Sequence, residues 1–218
     1  MHRHEILDTL LRSGVIAIVR LNRAEALVQV ARAIHQGGLS AIEFTMTTPN
    51  ALETIAEATK ALGQSVLIGA GTVLDAETAR AAILAGATFI VSPSTSAATI
   101  EMCHRYGVVS VPGAFTPTEI LTAWEMGADL VKLFPAEAGG PAYLKAVRAP
   151  LPHIPLVPTG GVGQDNAAEY IRAGAAAIAV GSSLVSQQLI ETGDMARLTS
   201  GAAAIVEAVR GARKAREG

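Results

Sequence analysis

Eight short apolar segments recur along the chain, and each is followed by a stretch with the spacing of an amphipathic helix. The segments are rich in β-branched residues, which predicts strands buried on both faces in a parallel sheet. The predicted strands are residues 15–20, 41–46, 66–71, 88–92, 108–112, 129–134, 155–159 and 177–181. Because strands and helices alternate strictly, right-handed crossovers should join the strands.

Capping residues and glycines mark the ends of the predicted helices. Asn22 with Glu25 resembles a capping box and predicts a helix that runs to Gln36. Thr48 and Pro49 suit the N-cap and first turn of a helix that ends near Gly63. Further helices are predicted from Asp75 to Gly86, from about Ser96 to Tyr106, and from the capping pair Thr116 and Glu119 to Gly127. After strand seven a helix is predicted to end at Gly174, and helical sequence follows strand eight to the end of the chain.

The repeated strand–helix unit predicts an α/β protein with a single domain over residues 1–218. Eight units of about 20–30 residues match a (β/α)8 barrel near the small end of its size range. An extra helix over residues 3–12 precedes the first strand, and we expect it to cap the barrel floor. A doubly wound open sheet is the alternative, but no Gly-x-Gly-x-x-Gly motif follows the first strand.

Composition narrows the function classes. Half of the 218 residues are hydrophobic and the formal net charge is −2, which favours neither nucleic acid nor an acidic membrane surface as a partner. No apolar run reaches the roughly 20 residues of a membrane span, and no signal-peptide core is present. The single Cys103 excludes an internal disulfide and fits a reducing cytoplasm. The five histidines form no metal-site pattern with carboxylates, so we expect no metal.

Lys132 interrupts the sixth apolar segment. Burying an ammonium is costly unless the group is paired or loses its proton. Alternation along a strand places Lys132 on the same face as Leu130 and Phe134, and on strand two it turns Glu43 inward. The two charged residues could form a buried ion pair that sets the register. Alternatively, Lys132 is an amine nucleophile with a carboxylate nearby for proton transfer.

The second interpretation sets a condition on the pKa of Lys132. To be mostly neutral at pH 7, its pKa must fall by about three units, which corresponds to about 4 kcal/mol. Burial beside Phe134 would lower the pKa, and Arg20 would add like-charge repulsion. An ionised Glu43 in close contact would oppose the shift. We therefore expect Glu43 to act through a water or a hydroxyl rather than in a tight pair with Lys132.

Small residues follow the last two predicted strands. Gly160 and Gly161 come after strand seven, and Gly181, Ser182 and Ser183 come after strand eight. Glycines that simply permit tight turns would explain part of this pattern. Free N–H groups at a helix N-terminus also bind anions, and barrel enzymes often hold phosphate at this position. The two loops together favour a phosphate site.

Two further residues at strand ends have side chains that could bind a substrate. Arg20 ends strand one and could bind a carboxylate through two parallel hydrogen bonds, or it could be a surface cation. Thr72 follows strand three and could orient a carboxylate or a water, although a threonine alone is weak support for a site.

Several segments in this order resemble the bacterial class I 2-keto-3-deoxy-6-phosphogluconate (KDPG) and 4-hydroxy-2-oxoglutarate (KHG) aldolases, along nearly the whole chain. The segments with the most specific spacing are Gly69-Ala70-Gly71-Thr72-Val73-Leu74 and Val131-Lys132-Leu133-Phe134-Pro135-Ala136-Glu137. The others are Ile42-Glu43-Phe44-Thr45, Ser92-Pro93, Val111-Pro112-Gly113, Pro158-Thr159-Gly160-Gly161 and Gly181-Ser182-Ser183.

The resemblance implies reversible cleavage of a keto acid to pyruvate and an aldehyde, which is glyceraldehyde 3-phosphate for KDPG and glyoxylate for KHG. It implies that Lys132 forms a Schiff base with the substrate, that Glu43 is the acid/base, and that no separate cofactor is needed. It further implies phosphate binding by the two loops and a homotrimer. The residues expected to contact the keto acid are Arg20, Thr47, Thr72, Pro93, Phe134 and Thr159.

One departure from the family pattern affects the substrate. Many members carry an arginine, which helps to hold the pyruvate carboxylate, where this chain has Thr47. Our hypothesis is that Arg20 takes over that contact from strand one. The galactonate epimer of the sugar acid and hydroxyoxoglutarate therefore stay open as substrates. Two other functions are also compatible with the pattern, a phosphosugar isomerase barrel without a covalent intermediate and a catalytically silent barrel that binds phosphometabolites.

Overall fold

The structure, a computed structural model, describes residues 1–20, 27–63 and 65–217. The predicted capping box of Asn22 and Glu25 lies outside these residues. The helices are α1 Arg3–Ser13, α2 Leu27–Gln36, α3 Ala51–Leu62, α4 Ala76–Leu84, α5 Ala97–Tyr106, α6 Pro117–Glu125, α7 Gly140–Arg148, α8 Ala167–Arg172, α9 Gln187–Thr192 and α10 Met195–Glu217. Within the described ranges, no helix has both the length and the apolar character needed to cross a membrane.

The strands alternate with these helices, and every strand pair is parallel. They are β1 Val15–Val19, β2 Ala41–Thr45, β3 Leu67–Gly71, β4 Phe89–Val91, β5 Val109–Val111, β6 Gly113–Ala114, β7 Val131–Leu133, β8 Leu156–Pro158 and β9 Ile178–Val180. Each of the eight predicted strands contains one observed strand, and β6 directly follows the fifth. The prediction of an α/β fold with a parallel sheet is confirmed.

The strands form a curled sheet in two hydrogen-bonded sections. The larger section has the order β5-β4-β3-β2-β1-β9, and the smaller has the order β6-β7-β8. β5 and β6 lie on either side of Pro112, which has no N–H to donate to a ladder. The Lys132 N–H donates to the Pro112 carbonyl at 2.9 Å. At the other junction, a parallel bridge joins Thr159 to Ala179.

Two apolar clusters lie on the two faces of the sheet. The larger is built from helices and from outward side chains such as Phe44 and Leu133. The smaller combines side chains from both sections, including Leu130 and Phe89, with helix α1. The predicted alternation on strands two and six is therefore confirmed. Ile6 of α1 belongs to the smaller cluster, which agrees with the expected capping role of this helix.

Local capping predictions succeed in most places. The Asp75 carboxylate accepts from the Thr78 N–H at 2.6 Å, and Thr116 and Glu119 form a reciprocal capping box. The Ser96 hydroxyl caps α5, and the helix was predicted to begin at about this residue.

The prediction of Thr48 as an N-cap is wrong. Helix α3 begins only at Ala51, and its N-cap is Asn50 in the left-handed region with φ of 54°. The Thr48 hydroxyl instead lies 3.2 Å from the hydroxyl of Thr45, and the Thr48 N–H donates to the Thr45 carbonyl. These bonds form a turn after β2, so Pro49 precedes the helix rather than starting it.

The C-terminal helical region is interrupted rather than continuous. α9 ends at Gly193, which adopts φ of 67°, and α10 begins two residues later. After β9, the Leu184 and Val185 N–H groups donate to the Gly181 carbonyl, each at 2.9 Å, in a turn that comes before α9. The loop of Ser182 and Ser183 precedes a helix, as expected, but α9 begins only at Gln187 rather than directly after strand eight.

Candidate active site

A pocket of about 410 Å³ opens at the C-terminal ends of the strands. It brings together every predicted site residue except Thr47. Its lining includes Arg20, Glu43, Thr72, Pro93, Lys132, Phe134, Thr159, Gly160, Gly161, Gly181, Ser182 and Ser183. A larger cleft of about 940 Å³ shares Ser183 with it and is bordered by α9 and α10, but that cleft is lined by neither Glu43 nor Lys132.

Lys132 lies in the middle of β7, with Gly113 and Val157 as its partners on the neighbouring strands. Only 6% of its surface is exposed, and its Nζ lies 4.8 Å from the centre of the Phe134 ring. Burial lowers the pKa of the Lys132 amine, and the charge of Arg20 lowers it further, while Glu43 opposes the shift. The lysine is therefore biased toward the neutral form that a nucleophile needs.

Glu43 projects from β2 and is 1% exposed. Burial raises the pKa of its carboxyl group, against the opposing effects of Lys132 and Arg20. Its Oε2 is buried without a hydrogen-bond partner, and no ion pair within 4 Å links it to Lys132 among the described residues. This agrees with the expectation that the two do not form a tight pair. A buried oxygen without a partner is costly, so it is suited to bind a substrate group or water.

Gly71 at the end of β3 makes room for the Glu43 carboxylate. A Cβ added at Gly71 would overlap Oε1 of Glu43. The φ of Gly71 is not in the left-handed region, so glycine is needed here for space rather than for backbone conformation. The packing of β3 therefore helps to set the position of the acid.

Arg20 and Thr72 form part of the rim. Arg20 directly follows β1, is exposed and lines the pocket. Thr72 follows β3 with φ of 58°, a conformation that a β-branched residue seldom adopts. Strained residues of this kind cluster at functional sites. Both residues line the same pocket as Glu43 and Lys132.

The two predicted phosphate loops lie side by side in the pocket. Gly160 and Gly161 have φ of 91° and 67°, and a Cβ at Gly161 would run into Glu137. The side chain of Asn166 holds this loop by donating to the Gly161 carbonyl at 2.8 Å. The Ser183 hydroxyl donates to the Val162 carbonyl at 2.7 Å, which ties the second loop to the first. The loops form a concave surface of small residues and backbone groups.

Thr47 is not brought into the pocket. Its hydroxyl donates to the Thr45 hydroxyl at 3.1 Å, in the turn that follows β2. Four lining residues were not predicted: Ile18, Val162, Val185 and Gln187. Gln187 is the polar residue among them. The signal for it in the sequence is Ser186, a helix-capping residue that marks Gln187 as the first residue of α9.

No group of three or more His, Cys, Asp or Glu side chains suited to a metal ion occurs within the described residues. The chemistry available in the pocket is that of an amine, a carboxyl group, a guanidinium and backbone donors.

Comparison with known proteins identifies the family. The family described as KDPG and KHG aldolase matches residues 6–200. The 2-dehydro-3-deoxy-phosphogluconate aldolase of Treponema pallidum is 41% identical over 89% of this chain and 93% of its own length. The 2-dehydro-3-deoxy-6-phosphogalactonate aldolase of Escherichia coli is 39% identical, covering 90% of this chain and 94% of its own.

A solved structure agrees with these relatives. The KDPG aldolase of Legionella pneumophila, captured with pyruvate as a covalent carbinolamine intermediate, superposes with a TM-score of 0.85 at 28% identity. The match covers 91% of this chain and 97% of that one. Because the family match and the relatives span most of its length and the fold is shared, this chain belongs to the KDPG and KHG aldolase family of aldehyde-lyases.

Proposed function

We propose that this chain is a class I aldolase that reversibly cleaves 2-keto-3-deoxy-6-phosphogluconate to pyruvate and D-glyceraldehyde 3-phosphate. The observation that carries the proposal is the buried Lys132, whose pKa is lowered, in one pocket with the buried Glu43, whose pKa is raised. An amine whose pKa is lowered and a carboxyl group whose pKa is raised suit imine chemistry. The amine can attack, and the carboxylic acid can donate a proton.

The cleavage follows from these two groups. Neutral Lys132 attacks the C2 carbonyl to give a carbinolamine, and Glu43 protonates the departing hydroxyl so that water leaves and an imine forms. The resulting Glu43 carboxylate takes the C4 hydroxyl proton, directly or through water, as the C3–C4 bond breaks. The electron pair of that bond flows into the protonated imine to give an enamine.

Glu43 then returns the proton to C3, and the pyruvate imine is hydrolysed to release pyruvate and free Lys132. The imine withdraws electrons from the reacting bond, which is the work that a metal performs in the other class of aldolase. Substrate, Lys132, Glu43 and water account for every proton transfer, and no separate cofactor enters the sequence.

The remaining pocket residues are assigned to binding. Arg20 and Thr72 contact the C1 carboxylate, and Arg20 compensates for the missing family arginine at Thr47. Pro93, Phe134 and Thr159 flank the carbon chain, and Gly160, Gly161, Gly181, Ser182 and Ser183 bind the phosphate. These assignments are supported by the shared lining of one pocket. Thr47 itself, bonded to Thr45, is better placed to support the turn after β2 than to touch the substrate.

Two other substrates belong to the same chemistry. The galactonate epimer is supported by the Escherichia coli relative, and 4-hydroxy-2-oxoglutarate by the family description. The two small-residue loops favour a phosphorylated substrate over hydroxyoxoglutarate, which has no phosphate. Measuring kcat/KM for the two phosphosugar epimers and for hydroxyoxoglutarate would rank the three.

Closure of the sheet and self-association belong to the same proposal. We propose that β5 and β6 act as one strand and that the sheet closes as a (β/α)8 barrel, supported by the Lys132–Pro112 hydrogen bond and the Thr159–Ala179 bridge.

We also propose a homotrimer, supported by exposed large apolar side chains that include Leu74 and Leu84. Light scattering should give the mass of three chains of 22.4 kDa. The buried free thiol of Cys103 supports a cytoplasmic location.

Borohydride trapping tests the mechanism. The protein is incubated with pyruvate, reduced with borohydride, and digested for mass mapping. We expect one reduced pyruvate adduct, on Lys132, and none in Lys132→Met. An isomerase or a catalytically silent barrel would give no adduct in the unmodified protein, and that result would remove the aldolase proposal. Lys145, exposed on α7, provides an internal control for non-specific labelling.

A further inference from the structure

A third cavity, of about 540 Å³, lies at the opposite end of the curled sheet from the active site. It is formed by the segments that lead into β7, β8 and β9, together with side chains of α1 and α10. Three arginines line it: Arg148 in the last turn of α7, Arg172 at the end of α8, and Arg216 near the end of α10. His153 adds a further nitrogen base to the lining.

Among the described residues, no carboxylate forms an ion pair within 4 Å with the arginines of this arginine pocket. Asp129 also lines the pocket, but its oxygens accept from Arg3 at 2.6 Å and from the Ser110 N–H at 2.8 Å. Among the described residues, the ion pairs within 4 Å join Arg3 to Asp129 and two exposed pairs elsewhere. None involves the three pocket arginines, although the whole chain has a net charge of −2.

Carbonyl groups hold two of these arginines in position. Nη2 of Arg148 donates to the Pro152 carbonyl at 3.1 Å, and Nη1 of Arg216 contacts the Ile171 carbonyl at 3.5 Å. The Arg148 guanidinium lies directly against Gly174, where an added Cβ would overlap it. Its Nε is buried without a hydrogen-bond partner. A guanidinium has five N–H donors, so these contacts leave donors that remain unsatisfied.

Arginines in the last turn of a helix often serve only to balance its dipole. That role explains each arginine separately, but it does not require three of them to surround one concave site. Like charges around a pocket repel one another, and a bound anion relieves that repulsion while satisfying the free donors. Forked guanidinium groups suit the oxygens of a phosphate better than single ammonium charges would.

We propose that the arginine pocket binds a small multivalent oxyanion that carries phosphate groups, at a site separate from the active site. Its position among the segments leading into β7 and β8 places the anion beneath the strand that bears Lys132. The chemistry is shared by inorganic polyphosphates and phosphorylated metabolites, and inorganic pyrophosphate is the simplest probe.

Calorimetry on the full chain at low ionic strength tests the proposal. We expect Arg172→Met to weaken pyrophosphate binding by about tenfold or more, because it removes an exposed, charged donor that has no hydrogen bond to another described residue. Arg172→Lys should be intermediate, since the charge remains but the fork is lost. The matched control is Arg210→Met on α10, which removes the same charge outside the pocket and should bind like the unchanged protein.

A second readout separates this site from the active site. Pyrophosphate that occupies the phosphate loops should inhibit keto acid cleavage, and that inhibition constant should be the same in Arg172→Met and in the unchanged protein. The cleavage rate without pyrophosphate should also be equal in the two. The proposal is overturned if Arg172→Met retains full pyrophosphate binding, if Arg210→Met weakens it equally, or if all binding is lost with Ser183→Asp alone.

Discussion

Substituting Gly71 with alanine tests whether the space at the end of β3 sets the position of the acid. The added Cβ would overlap Oε1 of Glu43, and heavy atoms closer than 3.0 Å to a Cβ are essentially never found. The carboxylate must therefore move by about 1 Å or more, and a misplacement of that size costs about 100-fold in rate. At 1.36 kcal/mol per tenfold, this is about 2.7 kcal/mol of transition-state stabilisation.

The assay couples pyruvate release to lactate dehydrogenase and follows NADH absorbance. We expect Gly71→Ala to lower kcat by about 100-fold while Lys132 still forms some borohydride-trapped adduct with pyruvate. Overpacking should also lower the free energy of unfolding by about 1–3 kcal/mol, measured by urea denaturation. An unchanged kcat in folded Gly71→Ala would refute the argument that this glycine positions Glu43.

Gly69→Ala is the matched control. Gly69 lies two residues earlier on the same strand and face, and its added Cβ would meet the ring of Phe89 rather than Glu43. We expect a similar loss of stability with kcat within a few-fold of the unchanged protein. Equal losses of kcat in both variants would attribute the effect of Gly71→Ala to general disruption of β3.

Four further predictions concern individual residues. Arg20→Ala should weaken pyruvate binding by about tenfold or more, and Arg20→Lys by less, as measured by the pyruvate concentration needed for half-maximal trapping; equal affinity would mean that Arg20 is only a surface cation. Gly161→Ala should raise KM for the phosphosugar more than it lowers pyruvate trapping, because the φ of 67° and the contact with Glu137 both disfavour a side chain; a KM that stays constant would contradict a phosphate role for this loop. Burial lowers the pKa of Lys132 in the folded protein, so the folded state binds fewer protons than the unfolded state between that lowered pKa and 10.5, and stability should rise with pH across this window. Lys132→Met should therefore be more stable than the unchanged protein at pH 7, by an amount that shrinks toward pH 10.5 in thermal melts, and a constant difference would contradict the shift. Burial raises the pKa of the Cys103 thiol to about 12, so a thiol reagent at pH 8 should label it only after unfolding, and rapid labelling of the folded protein would contradict its burial.

Sequence reasoning succeeded where a short segment determines its own structure. Alternation along β2 and β7 depends only on the pleat of a strand, so the inward direction of Glu43 and Lys132 could be predicted without knowing their neighbours. Asp75 and Thr116 were also recognised as caps, because their bonds reach only three residues along the chain. Thr48 shows the limit of such reasoning: its hydroxyl bonds back to Thr45, and a capping motif does not reveal that competing turn.

The amino-acid sequence by itself determined the parallel strand–helix pattern, the two inward charged residues and the family resemblance. Only the tertiary structure decided what those residues contact. Glu43 and Gly71 are 28 positions apart, yet the fit between them depends on how β2 and β3 pack. The same holds for the arginine pocket, whose members come from three separate helices. Burial, and with it the opposite pKa shifts of Lys132 and Glu43, is a property of the surroundings that the folded chain assembles.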